Sequence, residues 1–176
     1  MDRWEDYVAA VRAGLDRLEF TDGRGAPLSP AQGFSRWVGL THQVHADGGR
    51  IFIVGNGASA AMASHFAADA CKNGGLRIQA FNDGALLTCI ANDVAFDQVF
   101  ALPLARFARP GDMLMTISSS GASPDIVKAL ERARELQLHV VTISGRRADN
   151  PSRSFGEINA YLASDRYGWI ESGHHV

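Results

Sequence analysis

The run Met113-Leu-Met-Thr-Ile-Ser-Ser-Ser-Gly-Ala-Ser-Pro-Asp-Ile-Val127 carries the densest chemistry in the chain. Ser118, Ser119, Ser120 and Ser123 offer four hydroxyls around Gly121. They stand between an apolar run that reads as a buried strand and a helical pattern opening at Pro124. Ser123 suits the N-cap and Pro124 the first helical position, where a missing N–H costs nothing. Hydroxyls and free backbone N–H groups at a helix start make an anion site, and phosphate is its usual occupant. An ordinary strand-to-helix turn would need one capping serine; four point to phosphate.

A second turn of this kind lies upstream. Ile51-Phe-Ile-Val54 runs into Gly55-Asn-Gly-Ala-Ser59 and a small-residue helix reaching Ala70. The glycines let the backbone turn sharply and approach a ligand closely, and Ser59 adds a hydroxyl. One such turn is common between strands and helices. Two in one small α/β pattern reinforce each other.

His65 and Asp69 stand four apart on the helix leaving that turn, hence on one face. Together they could bind a divalent metal or move protons; read blandly, they are a solvated surface pair. Near the C-terminus, Glu171, His174 and His175 recur at helical spacing and could hold zinc. The plainer alternative is an exposed, frayed terminus. Asn92 and Asp93 could reach a cleft as acceptors for sugar hydroxyls, whereas Asn82 and Asp83 read as turn formers. His42, His45 and His139 read as structural or solvated, and Cys71 and Cys89 as buried free thiols.

The elements that must position these groups alternate. Strands are expected near 50–55, 76–81, 112–117, 138–143 and 157–163. Helices are expected near 58–72, 84–91, 95–107, 124–136 and from 165 onward. That alternation gives an α/β fold whose parallel sheet is covered on both faces, with ligands at the carboxyl ends of the strands. Two helical patterns precede it: residues 2–19, where Trp4, Tyr7, Val8, Val11, Leu15 and Leu18 recur at helical spacing, and Pro30 to about Ala46. Thr21 to Pro30 reads as a loop. These N-terminal helices, within 1–48, carry apolar stripes that a helical bundle between subunits would cover. Residues 49–176 form the parallel α/β core of a single domain.

The chain has 176 residues, 46% hydrophobic, enough for a sizeable core and against disorder. A net charge of −2 argues against direct nucleic-acid binding through a broad basic surface. No apolar run approaches a membrane span, and the start, Met-Asp-Arg-Trp-Glu-Asp, lacks the features of a signal peptide. A cytoplasmic protein is expected.

Gly55-Asn-Gly-Ala-Ser59, His65-Phe66-Ala67, Ala91-Asn-Asp93 and Ile117-Ser-Ser-Ser-Gly-Ala-Ser123 together resemble a sugar isomerase (SIS) domain. In order and spacing they are most similar to the bacterial phosphoheptose isomerases, which convert sedoheptulose 7-phosphate to a heptose 7-phosphate. The resemblance runs from about residue 30 to the end. It implies a five-stranded parallel sheet between helices, a homotetramer whose sites combine neighbouring subunits, and a divalent metal, usually zinc. By position, Ser118, Ser119, Ser120 and Ser123 would hold the phosphate, and Asn56, Ser59 and Asp93 would face the sugar. His65 would be a metal ligand. Asp69 stands where the isomerases usually carry Glu as ligand and base. Glu171 falls near the metal, where the family often has Gln or Glu, and Asp165 would touch the sugar.

The family also places a His about two turns beyond Glu171, near position 179, as metal ligand and general acid. Three readings stay open: the helix continues past Val176, His174 or His175 takes that role, or this member is not an ordinary isomerase. An aldose–ketose isomerase would move a proton between C1 and C2 through an enediol, with a carboxylate base and an acid or metal at the oxyanion. Two other readings use the same domain. One is a non-catalytic sugar-phosphate sensor or partner-binding module, including a tetrameric relative that binds the bacterial replication initiator. The other is an enzyme removing lactate from a phosphorylated muramic sugar, a group that is usually longer.

Overall fold

Five short apolar runs form the expected parallel sheet. The computed structural model describes residues 3–175; Met1, Asp2 and Val176 of the expected domain lie outside the described residues. The parallel strands are β3 (Ile51–Gly55), β4 (Ile78–Ala80), β5 (Met113–Ser118), β6 (His139–Gly145) and β7 (Ile158–Leu162). Two more precede them, β1 (Leu18–Asp22) and β2 (Pro27–Leu28), which make an antiparallel hairpin on the outer edge of β7. The full order is β2-β1-β7-β6-β5-β3-β4.

The hairpin corrects two expectations. The first helix, α1 (Trp4–Leu15), stops short of residue 19, and Leu18 pairs across from Leu162 instead of continuing the helical stripe. The Gly- and Pro-rich stretch holds a strand turn. Asp22 Oδ1 accepts the N–H groups of Arg24 and Ala26 at 2.9 Å each, and Gly25 adopts φ +78°. An unpaired β7 edge would leave backbone groups open to another chain, and β1 satisfies them. A second correction concerns 95–107. It divides into a 3-10 turn at Phe96–Gln98 and a separate helix over Ala101–Phe107. Pro103 would break a continuous helix but is tolerated in a first turn.

Strand burial on both faces explains the uninterrupted apolar runs. In β3, Phe52 and Val54 face one core with Leu114, Ile126 and Leu130, while Ile51 and Ile53 face the other with Met113, Met115, Met62 and Ala63. The helices supply the covers. Along the chain, α1 (Trp4–Leu15) and α2 (Pro30–Ala46) come first. They are followed by α3 (Ala58–Gly74), α4 (Gly84–Asp93), α5 (Ala101–Phe107), α6 (Pro124–Glu135) and α7 (Tyr167–His174). A reciprocal capping box starts α2: Ser29 Oγ accepts Gln32 N–H at 3.3 Å and Gln32 Oε1 accepts Ser29 N–H at 2.9 Å. Among the described residues, no helix is long and apolar enough to cross a membrane.

Cys71 and Cys89 are both exposed, contrary to the buried thiols expected. Their helices turn other residues inward, Ala63 and Ala67 on α3 and Ile90 on α4. Trp4 and Val8 on α1 and Phe34 and Val38 on α2 also stand exposed.

Two contacts carry testable weight. Gly33 of α2 lies against the Phe20 ring so closely that a Cβ there would overlap it. Gly33→Ala should therefore lower the unfolding free energy by about 2 kcal/mol, the usual scale for overpacking, read as an earlier urea midpoint. His174 closes α7 onto the sheet. Its Nε2–H donates to Ser144 O at 3.1 Å, and Nδ1 is buried without a partner among the described residues. Burial pushes its pKa below the usual 6.5. The unfolded chain then takes up a proton before the folded one does. Stability should fall as pH drops below 6.5 and level off beneath the folded value. His174→Gln should flatten that part of the denaturation profile; an unchanged pH slope would show that His174 is not responsible.

Candidate active site

β3 and β5 are neighbours, yet β3 sends the chain outward to β4 while β5 sends it inward to β6. The following helices take opposite faces: α3 joins the core of Ile51 and Ile53, and α6 that of Phe52 and Val54. A crevice opens outside the carboxyl ends of two strands related in this way, and α/β proteins bind ligands there. Both Gly55-Asn-Gly-Ala-Ser59 and Ser118–Ser123 flank it.

The glycine turn is tight because its residues leave no room. A Cβ on Gly55 would come within 2.8 Å of Ile117 O and of Ser59, and Gly57 adopts φ +55°. Among the described residues, no side chain caps α3. Ser59 is buried beneath the turn, while Asn56 is exposed at its tip. Asn82, at the end of β4, fastens the helix start from the side; its Nδ2 donates to Ala60 O at 2.7 Å and Ser64 Oγ at 2.8 Å. Asp83 is a helix cap, accepting Leu86 N–H at 2.8 Å.

The serine turn departs from an ordinary capped helix. Ser123 occupies the N-cap position of α6 with extended backbone, but its side chain makes no capping hydrogen bond. Its Oγ lies 3.5 Å from Ser120 Oγ. Ser120 Oγ also accepts Ala122 N–H at 3.2 Å, and Ser118 Oγ accepts Gly121 N–H at 3.1 Å. Ser119 Oγ is buried and has no partner among the described residues. Hydroxyls left unspent at a helix start are what an anion needs and what a simple turn does not.

The loop after β6 braces this turn, a support that Asn150 and Ser152 did not announce in sequence beyond a turn-forming Asn-Pro-Ser. Gly121 adopts φ +60°, and a Cβ there would run into the buried Asn150 amide. Asn150 Nδ2 donates to Arg147 O at 2.8 Å and Ser144 Oγ at 3.2 Å, and Ser152 Oγ donates to Gly121 O at 2.8 Å. Asp125, another residue the sequence did not single out, accepts Asn56 Nδ2–H at 2.7 Å and so joins the two turns.

His65 Nε2 and Asp69 Oδ2 are 3.5 Å apart, with side chains 66% and 58% exposed. They line a cavity of about 500 Å³ with the apolar Phe34, Trp37 and Phe66 and with His174 and His175. The His65 and His175 rings stack with centroids 6.2 Å apart. Glu171 opens on an adjoining cleft that it shares with His65, His175 and Tyr7. Among the described residues, no three His, Cys, Asp or Glu side chains gather as a metal site. His65 and Asp69 thus make a two-donor pair. Asp93 lies elsewhere: its carboxylate accepts from Asn92 at 2.8 Å and from the Cys89 thiol at 3.5 Å. Asp165 is exposed in the turn before α7 and lines neither concavity.

Known proteins give this arrangement a lineage. The SIS domain family matches residues 31–145. A phosphoheptose isomerase from Geobacter sp. (strain M21) is 33% identical over 177 residues, covering 97% of this chain and 88% of that protein. One from Bordetella avium (strain 197N) is 38% identical over 117 residues; that match covers 62% of this chain and spans 58% of the relative's length. The solved phosphoheptose isomerase from Neisseria gonorrhoeae superposes with a TM-score of 0.79 at 28% identity, covering 97% of this chain and 88% of that one. The two turns at the carboxyl ends of adjacent parallel strands and these relatives converge: the chain belongs to the SIS domain family, among the phosphoheptose isomerases.

Proposed function

We propose that this chain, a single SIS domain, is an aldose–ketose isomerase that converts sedoheptulose 7-phosphate to a heptose 7-phosphate. The observation that carries the reading is the serine turn, with an uncapped helix start and a buried Ser119 hydroxyl that has no partner among the described residues, beside the glycine turn at the sheet's switch point. Ser118, Ser119, Ser120 and Ser123 hold the phosphate. Asn56 and Ser59 receive sugar hydroxyls, with Asp93, Asp165 and Glu171 assigned to the sugar by family resemblance. Asp69 takes the C1 or C2 proton as general base, and its neighbour His65 shuttles a proton to the enediol oxygen. Phosphate anchoring keeps the reacting carbons in register with that base.

As they stand, His65, Asp69 and Glu171 do not fit a zinc ion, because two donors meet and Glu171 opens on the adjoining cleft. The proton transfers above use no metal. Zinc held by these three residues is a separate proposal and requires Glu171 to approach the pair. A homotetramer is the assembly we propose, supported by the exposed Trp4, Val8, Phe34 and Val38 on α1 and α2. A cytoplasmic setting suits the two exposed free thiols.

Purified protein should convert sedoheptulose 7-phosphate, and Asp69→Asn should lower kcat at least about 100-fold, the lower end of a general base's contribution. Phosphosugar binding by calorimetry without any conversion would replace this reading with a sugar-phosphate sensor or partner-binding module. Metal analysis of protein prepared without chelators tests the separate zinc proposal: zinc that His65→Ala abolishes would mean that Glu171 closes on the pair, and metal-free protein would leave His65 and Asp69 as the two-donor pair described. Zinc surviving that change would put the metal elsewhere.

A further inference from the structure

Asp125 sits in the first turn of α6, one residue past Pro124, and only 2% of it is exposed. An acid in a first turn usually favours the helix dipole from solvent. Asp125 instead turns inward, and burying a carboxylate is costly unless it is paired. Its Oδ2 accepts Asn56 Nδ2–H at 2.7 Å across 69 positions of sequence. Among the described residues this is the one side-chain hydrogen bond between the glycine turn and the segment made by the serine turn and the first turn of α6.

Two consequences follow from chemistry. A carboxylate only accepts hydrogen bonds, so the Asn56 amide is held with Nδ2 toward Asp125 and Oδ1 away from it. The flipped amide would set oxygen against oxygen. In addition, a negative charge in the first turn of α6 opposes a phosphate bound at the same helix start. Phosphate affinity alone would favour a neutral residue here, so Asp125 serves something other than phosphate binding.

We infer that Asp125 is a positioning residue that orients Asn56 toward a sugar hydroxyl and keeps the sugar-binding turn in register with the phosphate-binding turn. The inference rests on the proposed isomerase and names how its two halves are aligned. Asp125→Asn keeps the shape and loses the charge-assisted bond. It should raise KM for sedoheptulose 7-phosphate about tenfold, with an unchanged melting temperature. Competitive inhibition by inorganic phosphate should be as strong as before or stronger, whereas a merely structural lesion would weaken both. In an Asn56→Ala background, Asp125→Asn should add less than about twofold, because the partner is already gone. Should Asp125→Asn not fold, Asp125→Ser gives the same readout with a smaller acceptor. Phosphate inhibition that weakens in step with KM, or losses that multiply independently in the double variant, would overturn the inference. A wild-type chain that neither binds nor isomerises the phosphosugar overturns the proposed function, and this inference with it; additivity in an active protein overturns the inference alone.

Discussion

The parallel pairing of β3 with β5, which ends with Gly55 opposite Ile117, holds the glycine turn and the serine turn at a fixed separation. Backbone hydrogen bonds set that spacing, and the chain then leaves toward opposite faces of the sheet. The helices that follow are packed into separate cores, so neither turn can shift without disturbing one of them. At the near end of the same strands, Asp112 accepts Arg50 N–H at 2.7 Å and Arg109 N–H at 2.8 Å, closing the pair from below. The site inherits its rigidity from the sheet, and its loops need only present the right groups.

Around the serine turn the structure tolerates polar groups that folding alone would leave better satisfied. Ser119 Oγ and Asn150 Oδ1 are both buried without a partner among the described residues. A buried polar group in that state costs on the order of 1–3 kcal/mol. Sites that break a local rule of satisfaction are the ones where binding can recover the loss. Gly121 belongs to the same arrangement, since its left-handed backbone and missing Cβ let the Asn150 amide press against the turn.

The face carrying His65 and Asp69 has a different character. It is wide, largely apolar and incompletely filled, with Phe34, Trp37 and Phe66 around two polar side chains. Two exposed groups at 3.5 Å in solvent do little for stability. Their value depends on what closes over them. Apolar side chains left open on α1 and α2 border the same side of the sheet, so whatever covers those helices also sets how far solvent reaches the His65–Asp69 pair.

Much of this was open to reading in one dimension. The five parallel strands, the two turns and the His65–Asp69 pair follow from local rules: apolar runs of strand length, glycine and serine punctuation, and four-residue spacing on a helix. These signals act within a few residues, so the sequence by itself determined the class of fold and where the two turns and the His65–Asp69 pair fall along it. The β1–β2 hairpin escaped because its residues look helical and loop-like until the open edge of β7 offers them partners. Asn150, Ser152 and Asp125 escaped because they reach the site across loops or between strands. Exposure of Cys71 and Cys89 was decided by which helix faces the sheet claimed. Only the tertiary structure could decide such matters, since a buried hydrogen bond depends on which distant segments the sheet order brings within about 3 Å of each other.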